Sequence, residues 1–150
     1  MESAVDERQL VLCPVRGGKR SARTVDRAVE LARAAEARLA FLYVVDVDFL
    51  DHATVARVKL MADELRETGR FALSILAEKA RARGVTEVAE IIREGKIGEL
   101  IPGVAAELGA TTLVVGQPLR TPGAVSMPSK AFQQLLRTLR DRGLDVVCVE

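Results

Sequence analysis

The sequence predicts an α/β domain with a single five-stranded parallel doubly wound sheet and helices on both faces. Short apolar runs alternate along the chain with longer segments whose apolar residues recur at helical spacing, in the order βαβαβαβαβ. The first run, Leu10–Val15, is continuous rather than interleaved with polar residues, which is typical of a strand that is covered on both faces.

Composition limits the class of protein. The chain has 150 residues, of which 49% are hydrophobic, enough for one domain with a sizeable core. We expect residues 1–8 to form an N-terminal tail and residues 9–150 to form the domain. Lys and Arg total 22 against 21 Asp and Glu, and aromatic residues make up 3%, so neither charge nor stacking surfaces favour a nucleic-acid partner.

The same sequence gives no sign of membrane insertion or secretion. The longest apolar run, Leu39–Val45, is far shorter than the roughly 20 residues of a membrane-spanning helix. The N-terminal segment is polar and contains acidic residues, unlike a signal peptide. We therefore expect a cytoplasmic protein.

The first half of the chain predicts two strands and two helices. The run Leu10–Val15 is followed at once by glycines, and Ser21 is placed to cap a helix with apolar residues on one face. Leu39–Val45 is the second predicted strand. Thr54–Ala82 has helical spacing throughout, with Gly69 as its weak point because glycine disfavours helix interiors.

A third strand and a third helix follow. Val85–Ile92 alternates loosely between apolar and polar residues, as a strand would. Ile97–Leu108 is helical in period and is stopped by a glycine. Because proline disrupts helix interiors, Pro102 requires either a helix that begins near Ile101 or a kink.

The last part of the chain completes the alternation. Thr111–Val115 is a predicted strand that ends in Gly116, and a loop longer than most loops in compact domains follows. Ser129 is placed to cap a last helix, and Leu144–Val149 is the final predicted strand.

The loop after the first strand is the first candidate binding site. Ligands of doubly wound sheets bind beyond the carboxyl ends of the strands, where the strand order reverses. Gly17 and Gly18 allow backbone N–H groups to approach an anion, and Arg16 and Lys19 add positive charge beside a helix N-terminus. The alternative is an ordinary glycine-rich turn with solvated cations.

The loop after the fourth strand is the second candidate. Gly116 would allow close backbone contact with a ligand, while Arg120 and Lys130 would supply charge. Ser129 offers a hydroxyl and the N–H groups of a helix start. The alternative is a surface loop shaped by its prolines, with Ser129 as a plain cap.

Catalytic and metal-binding chemistry find little support in the sequence. His52 is the only histidine, and nothing places it beside a nucleophile. His52 lies near Asp46, Asp48 and Asp51, but their spacing fits no metal-ligand pattern. Roles in turns or as helix caps explain these acidic residues better. Cys13 and Cys148 lie inside apolar runs and are predicted to be small buried hydrophobes. We expect no metal site and no enzyme.

Four segments of the chain carry a resemblance to a known family. They are LVLCPVRGGKRS, FLYVVD, IREGKIGELIPGVAAELGATTLVVGQPLRT and SKAFQQLLRTLRDRGLDVVCVE. Over nearly all of residues 9–150 the chain resembles the universal stress protein family, within the adenine nucleotide alpha hydrolase-like superfamily. The resemblance implies a five-stranded α/β fold, a dimer, and either an ATP-binding or a non-ATP-binding branch. It also implies a fourth strand between the first and fifth, which would hold Cys13 and Cys148 about 9–10 Å apart, too far for a disulfide.

The chain departs from the ATP-binding branch at several positions. Members of that branch carry an Asp where this sequence has Arg16. Their signature runs Gly, two residues, Gly, about nine residues, then Gly-Ser/Thr. Here Gly116 matches the first glycine and Leu119 replaces the second. Pro128-Ser129 stands where Gly-Ser is expected, and the segment between Leu119 and Pro128 is one residue shorter than in the signature. Leu119 places a side chain where bare backbone is needed and Pro128 removes an N–H donor, so the degenerate motif argues against family-type ATP binding.

The resemblance also implies where ATP or another adenine nucleotide, or a smaller anion, would bind. The candidates are Val15, Arg16 and the backbone of Val44 for adenine and ribose; Gly116, Arg120, Ser129 and Lys130 for phosphates; and Gly17, Gly18 and Lys19 from the first loop. The first loop also resembles the Ser-Gly-Gly-x-Asp-Ser loop of ATP pyrophosphatases. Arg16 and Arg20 replace its first Ser and its Asp, so adenylation chemistry loses support.

Three functions follow as hypotheses. The first is a stress-response regulatory protein that acts by binding, as a homodimer paired through the apolar strand Val146–Val149, with little or no catalysis. The second is a nucleotide-binding switch or slow ATPase in which cationic contacts replace the lost glycines. The third is a sensor domain associated with a transporter, which rests on fold analogy alone.

Overall fold

Parallel strands and helices alternate along residues 9–16, 21–46, 54–116 and 129–149, which a computed structural model describes. The strands are β1 (Leu10–Val15), β2 (Arg38–Val45), β3 (Val88–Glu94), β4 (Thr112–Gly116) and β5 (Asp145–Val149). The helices are α1 (Ser21–Ala34), α2 (Val55–Ala82), α3 (Ile97–Leu108) and α4 (Ser129–Asp141). The predicted α/β alternation is confirmed.

The five strands form one parallel sheet in the order β3-β2-β1-β4-β5. The chain adds β2 and β3 on one side of β1, and β4 and β5 on the other. The strand order therefore reverses between β1 and β4, which is the switch point at which ligands of doubly wound sheets bind. The carboxyl ends of β1, β2 and β4 meet at this edge.

Two apolar cores lie on opposite faces of the sheet. Helices α1 and α2 pack on one face, where Val29 and Leu73 join Cys13 and Phe41. Helices α3 and α4 cover the other face, with residues such as Ile101, Leu136 and Leu12. Neighbouring residues of β1 point to opposite cores, so a continuous apolar run is what this strand needs. Full burial of a Val, Leu or Phe side chain in these cores contributes about 1.5–3 kcal/mol of transfer free energy.

Helix α2 follows its prediction at both ends. The Thr54 hydroxyl accepts a hydrogen bond from the backbone N–H of Arg57 at 3.2 Å and so caps the helix N-terminus. At the other end the backbone N–H of Val85 donates to the carbonyl of Ala80 at 3.1 Å, after Gly84 at φ +101°. This is the Schellman geometry, in which the apolar residue after the glycine packs back on the helix.

The Schellman geometry explains two wrong strand boundaries. β3 is Val88–Glu94 rather than Val85–Ile92, because Val85 belongs to the end of α2. β5 begins at Asp145 rather than Leu144, because the Leu144 N–H donates to the Leu139 carbonyl at 3.1 Å. In both places an apolar residue directly after a glycine resembles the start of a strand but completes the preceding helix.

Helix α3 corrects a second expectation. It begins at Ile97 and continues through Pro102, so the start near Ile101 is wrong. Pro102 lies early in the helix, where its missing N–H removes a single bond to the carbonyl of Gly98. Gly109, at φ +68°, ends the helix as predicted.

Other local predictions are refined. Ser21 and Ser129 are the first residues of α1 and α4 rather than the caps before them. Cys13 is buried as expected, whereas Cys148 is only half-buried, because β5 lies at the edge of the sheet. β4 separates the two cysteines and no disulfide joins them. Burial raises the pKa of the Cys13 thiol to about 12, so it stays protonated and unreactive at neutral pH.

Gly69 is not the weak point that helix propensity predicts. It is buried where α2 crosses β2, and a Cβ there would lie 2.6 Å from Cδ1 of Tyr43. A side chain would collide with the aromatic ring, so the glycine is what allows this close approach.

Among the helices in the described residues, none combines the length and apolar character that a membrane span requires.

Candidate functional site

Four of the predicted site residues meet at the carboxyl edge of three adjacent strands. Val15 pairs with Tyr43 in the register of β1 and β2, so the next residues, Arg16 and Val44, lie side by side. The register of β1 and β4 pairs Leu12 with Leu113, and the two strands end at Val15 and Gly116 on the same edge of the sheet.

The other predicted residues divide into two groups. Ser129 and Lys130 begin α4, the helix that follows β4, and the Lys130 side chain is exposed. Four candidates lie outside the described residues and stay predictions: Gly17, Gly18, Lys19 and Arg120.

The described candidates offer different groups to the edge. The Val15 side chain is 5% exposed and belongs to the core with α1, so its backbone is what faces the crevice. Arg16 is exposed immediately after β1. Val44 is half-buried and packs against the core on the α3 and α4 face. A ligand at this edge would therefore meet backbone groups, a guanidinium and an aliphatic side chain.

Pro14 weakens the ladder between β1 and β4 where the crevice opens. The Arg38 N–H donates to the Gln9 carbonyl and the Thr111 N–H donates to the Leu10 carbonyl, so even-numbered residues of β1 turn their backbone groups toward β4. Pro14 is one of these residues and has no N–H to donate. The paired residues of β1 and β4 accordingly end at Leu12. One backbone hydrogen bond is thus removed beside the switch point.

Gly116 has a close neighbour that the sequence prediction missed. A Cβ at Gly116 would lie 2.9 Å from the Thr24 hydroxyl oxygen, so β4 and the first turns of α1 approach closely here. Thr24 is 5% exposed, and among the described residues it is the one polar residue whose side chain is buried. The available signal was helical spacing, because Thr24 continues the buried stripe of Ala28 and Ala32.

Charge at this edge is mixed rather than acidic. Arg16 follows β1, Lys130 lies in the first turn of α4, and Asp46 follows β2. The α4 N-terminus adds the partial positive charge of its backbone N–H groups. In the part of the chain that the structure describes, no group of three or more His, Cys, Asp or Glu is arranged to hold a metal ion. The acidic residues Asp48 and Asp51, and His52, lie outside those residues.

A groove lies elsewhere, between α2 and the outer edge of β3. Its volume is about 460 Å³, and it is lined by Arg66, Arg70, Leu73, Glu90 and Ile92. Arg66 bridges the two elements through an ion pair with Glu94 at 2.9 Å. The sequence did not predict this groove, which is formed by residues far apart in the chain.

The topology and the position of the crevice invite comparison with known proteins. The model of the Universal stress protein family matches residues 7–129. The chain belongs to the universal stress protein family. No curated protein matches the chain.

Solved structures of other universal stress proteins share the fold over nearly the whole chain. A member from Burkholderia pseudomallei is 25% identical with a TM-score of 0.72, covering 97% of this chain and 98% of that one. A universal stress protein in complex with cAMP is 23% identical with a TM-score of 0.61, covering 95% and 97%. One from Archaeoglobus fulgidus in complex with dAMP is 18% identical with a TM-score of 0.60, covering 97% and 100%.

Proposed function

We propose that this universal stress protein is a stress-response regulator that acts by binding, as a homodimer, and does not catalyse a reaction. The observation that carries the proposal is Arg16, an exposed cation beside Val44 at the carboxyl end of β1. The resemblance implies an Asp here in ATP-binding members. An arginine reverses the sign of charge at the nucleoside end of the crevice, which works against family-type ATP binding.

The loss of signature glycines supports the same conclusion. Leu119 and Pro128 stand where the ATP-binding signature has glycines. Gly116 is the signature glycine that remains, and its contact with Thr24 gives it a use in packing that needs no ligand. On this proposal, the protein regulates through its dimer and through the partners that the dimer binds. The cytoplasmic location expected from the sequence stays a prediction.

Calorimetric titration tests the proposal directly. The purified protein is titrated with ATP, ADP and AMP, each with and without magnesium. We expect no heat of binding up to about 1 mM nucleotide, which corresponds to a binding free energy weaker than about −4 kcal/mol. Micromolar binding of ATP would overturn the proposal.

The second candidate is a nucleotide-binding switch or slow ATPase. Lys130 favours it, because this exposed cation lies in the first turn of α4 beside the helix N-terminus. The cAMP and dAMP complexes of other family members also support a nucleotide site on this fold. This candidate predicts ATP binding in the same titration.

A variant of Lys130 separates specific from incidental nucleotide binding. If ATP binds the parent, Lys130→Ala should weaken binding at least several-fold, because this candidate assigns Lys130 to the phosphates. Arg137→Ala, an exposed cation further along the same helix, is the matched control and should bind like the parent. Equal affinity of Lys130→Ala and the parent would contradict the switch.

A further inference from the structure

The two edges of the sheet are chemically different. β5 ends in the apolar run Val146–Val149, with no charged residue in it. β3 has the sequence VAEIIRE, in which Glu90, Arg93 and Glu94 are charged. A strand edge presents N–H and C=O groups to any incoming strand, and charged side chains are a common means of preventing such pairing.

The register shows which backbone groups of β3 face away from the sheet. The Leu39 N–H donates to the Glu87 carbonyl at 3.0 Å, and the Gly95 N–H donates to the Val45 carbonyl at 3.0 Å. Odd-numbered residues of β3 therefore direct their backbone groups toward β2. Even-numbered residues, such as Val88 and Ile92, direct theirs outward, where a further strand would pair.

Two of these outward carbonyls already accept hydrogen bonds from arginines. Arg81, in the last turn of α2, donates from Nη2 to the Val88 carbonyl at 3.3 Å. Arg93 donates from Nη1 to the Ile92 carbonyl at 3.2 Å, and its Nη2 donates to Glu107 of α3 at 3.2 Å. One guanidinium group therefore comes from α2, and the other belongs to β3 itself and is held by Glu107 of α3.

We propose that Arg81 and Arg93 close the outer edge of β3 to strand addition by a second copy of this chain. An incoming strand would have to displace both guanidinium groups from the carbonyls that it needs as acceptors. Pairing of β5 with β5 is two-fold and closes at two copies, but it leaves the β3 edges of both copies on the outside, where β3-to-β3 pairing would join dimer to dimer without end. The arginines therefore limit assembly through the sheet to the closed dimer. This inference rests on the β5 homodimer of the proposed function.

The experiment compares molecular mass by light scattering over a concentration series. The test variant is Arg81→Ala with Arg93→Ala, and the matched control is Arg57→Ala with Arg137→Ala, which removes two exposed arginines away from β3. We expect the parent and the control to stay at the same mass and the test variant to form larger species as concentration rises. Adding Val147→Lys to the test variant should limit assembly to two copies joined through β3, because extension beyond two copies also requires the β5 pair.

Each outcome decides the inference. A folded test variant with the parent's mass at every concentration overturns it, as does growth beyond two copies that persists after Val147→Lys. Arg81→Ala alone, which leaves the contact between Arg93 and Glu107 intact, should give weaker growth in the same direction; circular dichroism identifies any unfolded variant. If the parent is a monomer, the proposed homodimer fails. Growth of the test variant above the parent's mass would still support the role of Arg81 and Arg93 in closing the edge of β3.

Discussion

At the scale of single residues, Gly116 has a packing role that the sequence did not predict. The sequence suggested that it brings backbone close to a ligand. In the structure it brings the end of β4 against Thr24 of α1, with 2.9 Å between the position of a Cβ and the hydroxyl oxygen. Packing alone therefore gives a reason for a glycine at this position.

Gly116→Ala should therefore destabilise the protein without any ligand present. The new Cβ must displace the Thr24 hydroxyl from its buried position or move α1, which costs about 1–3 kcal/mol, as other overpacking substitutions do. Urea unfolding measures this loss. In the Thr24→Ala background the same substitution should cost less, because the colliding atom is gone. An equal cost in both backgrounds would show that Thr24 is not the obstacle.

At the scale of elements, the packing of α2 on β2 depends on Gly69. Glycine in a helix interior usually lowers stability, and replacing it with alanine usually helps by up to about 1 kcal/mol. Here the ring of Tyr43 occupies the space that a Cβ would need. The contact between the two elements therefore overrides the preference of the helix.

Gly69→Ala should lower the free energy of unfolding by about 1–3 kcal/mol, because α2 must move away from the aromatic ring. Gly103→Ala is the matched control. Gly103 is also helical, but a Cβ there would meet nothing within 4 Å. We expect the control to leave stability unchanged or to raise it by up to about 1 kcal/mol. Urea unfolding of both variants checks the difference in sign, and a stabilised Gly69→Ala variant would contradict this account of the contact.

At the scale of the whole molecule, the two edges of the sheet are the surfaces through which the proposed assembly would form. β5 pairs with β4 alone among the described strands, and its apolar residues are half-buried on both faces. Val147 packs against one core while Val146 packs against the other. A second β5 would cover this edge and continue both cores.

Val147→Lys should convert the proposed dimer to a monomer, because a charge at the edge of β5 would have to be buried in the paired sheet. Light scattering measures the mass. Val55→Lys is the matched control, since Val55 is 87% exposed at the start of α2 and lies away from β5. An unchanged dimer mass would place the interface elsewhere. The exposed apolar residues of α2 would then be the next surface to test: Leu60, Phe71 and Ile75.

The sequence by itself determined the kind and order of the elements, because apolar spacing and capping residues act within a few positions of the chain. It predicted α2 from Thr54 to Ala82 and the end of α3 at Gly109, and it erred where apolar Val85 and Leu144 complete helices instead of beginning strands. The resemblance to the family, rather than local pattern, indicated that β4 separates Cys13 from Cys148.

Only the tertiary structure decided which distant residues meet. The contacts of Gly116 with Thr24 and of Gly69 with Tyr43 join segments that are far apart in the chain. Strand order and helix packing create these contacts, and no local periodicity encodes them. For that reason the sequence identified Gly116 as important, while the structure supplied a reason that requires no nucleotide.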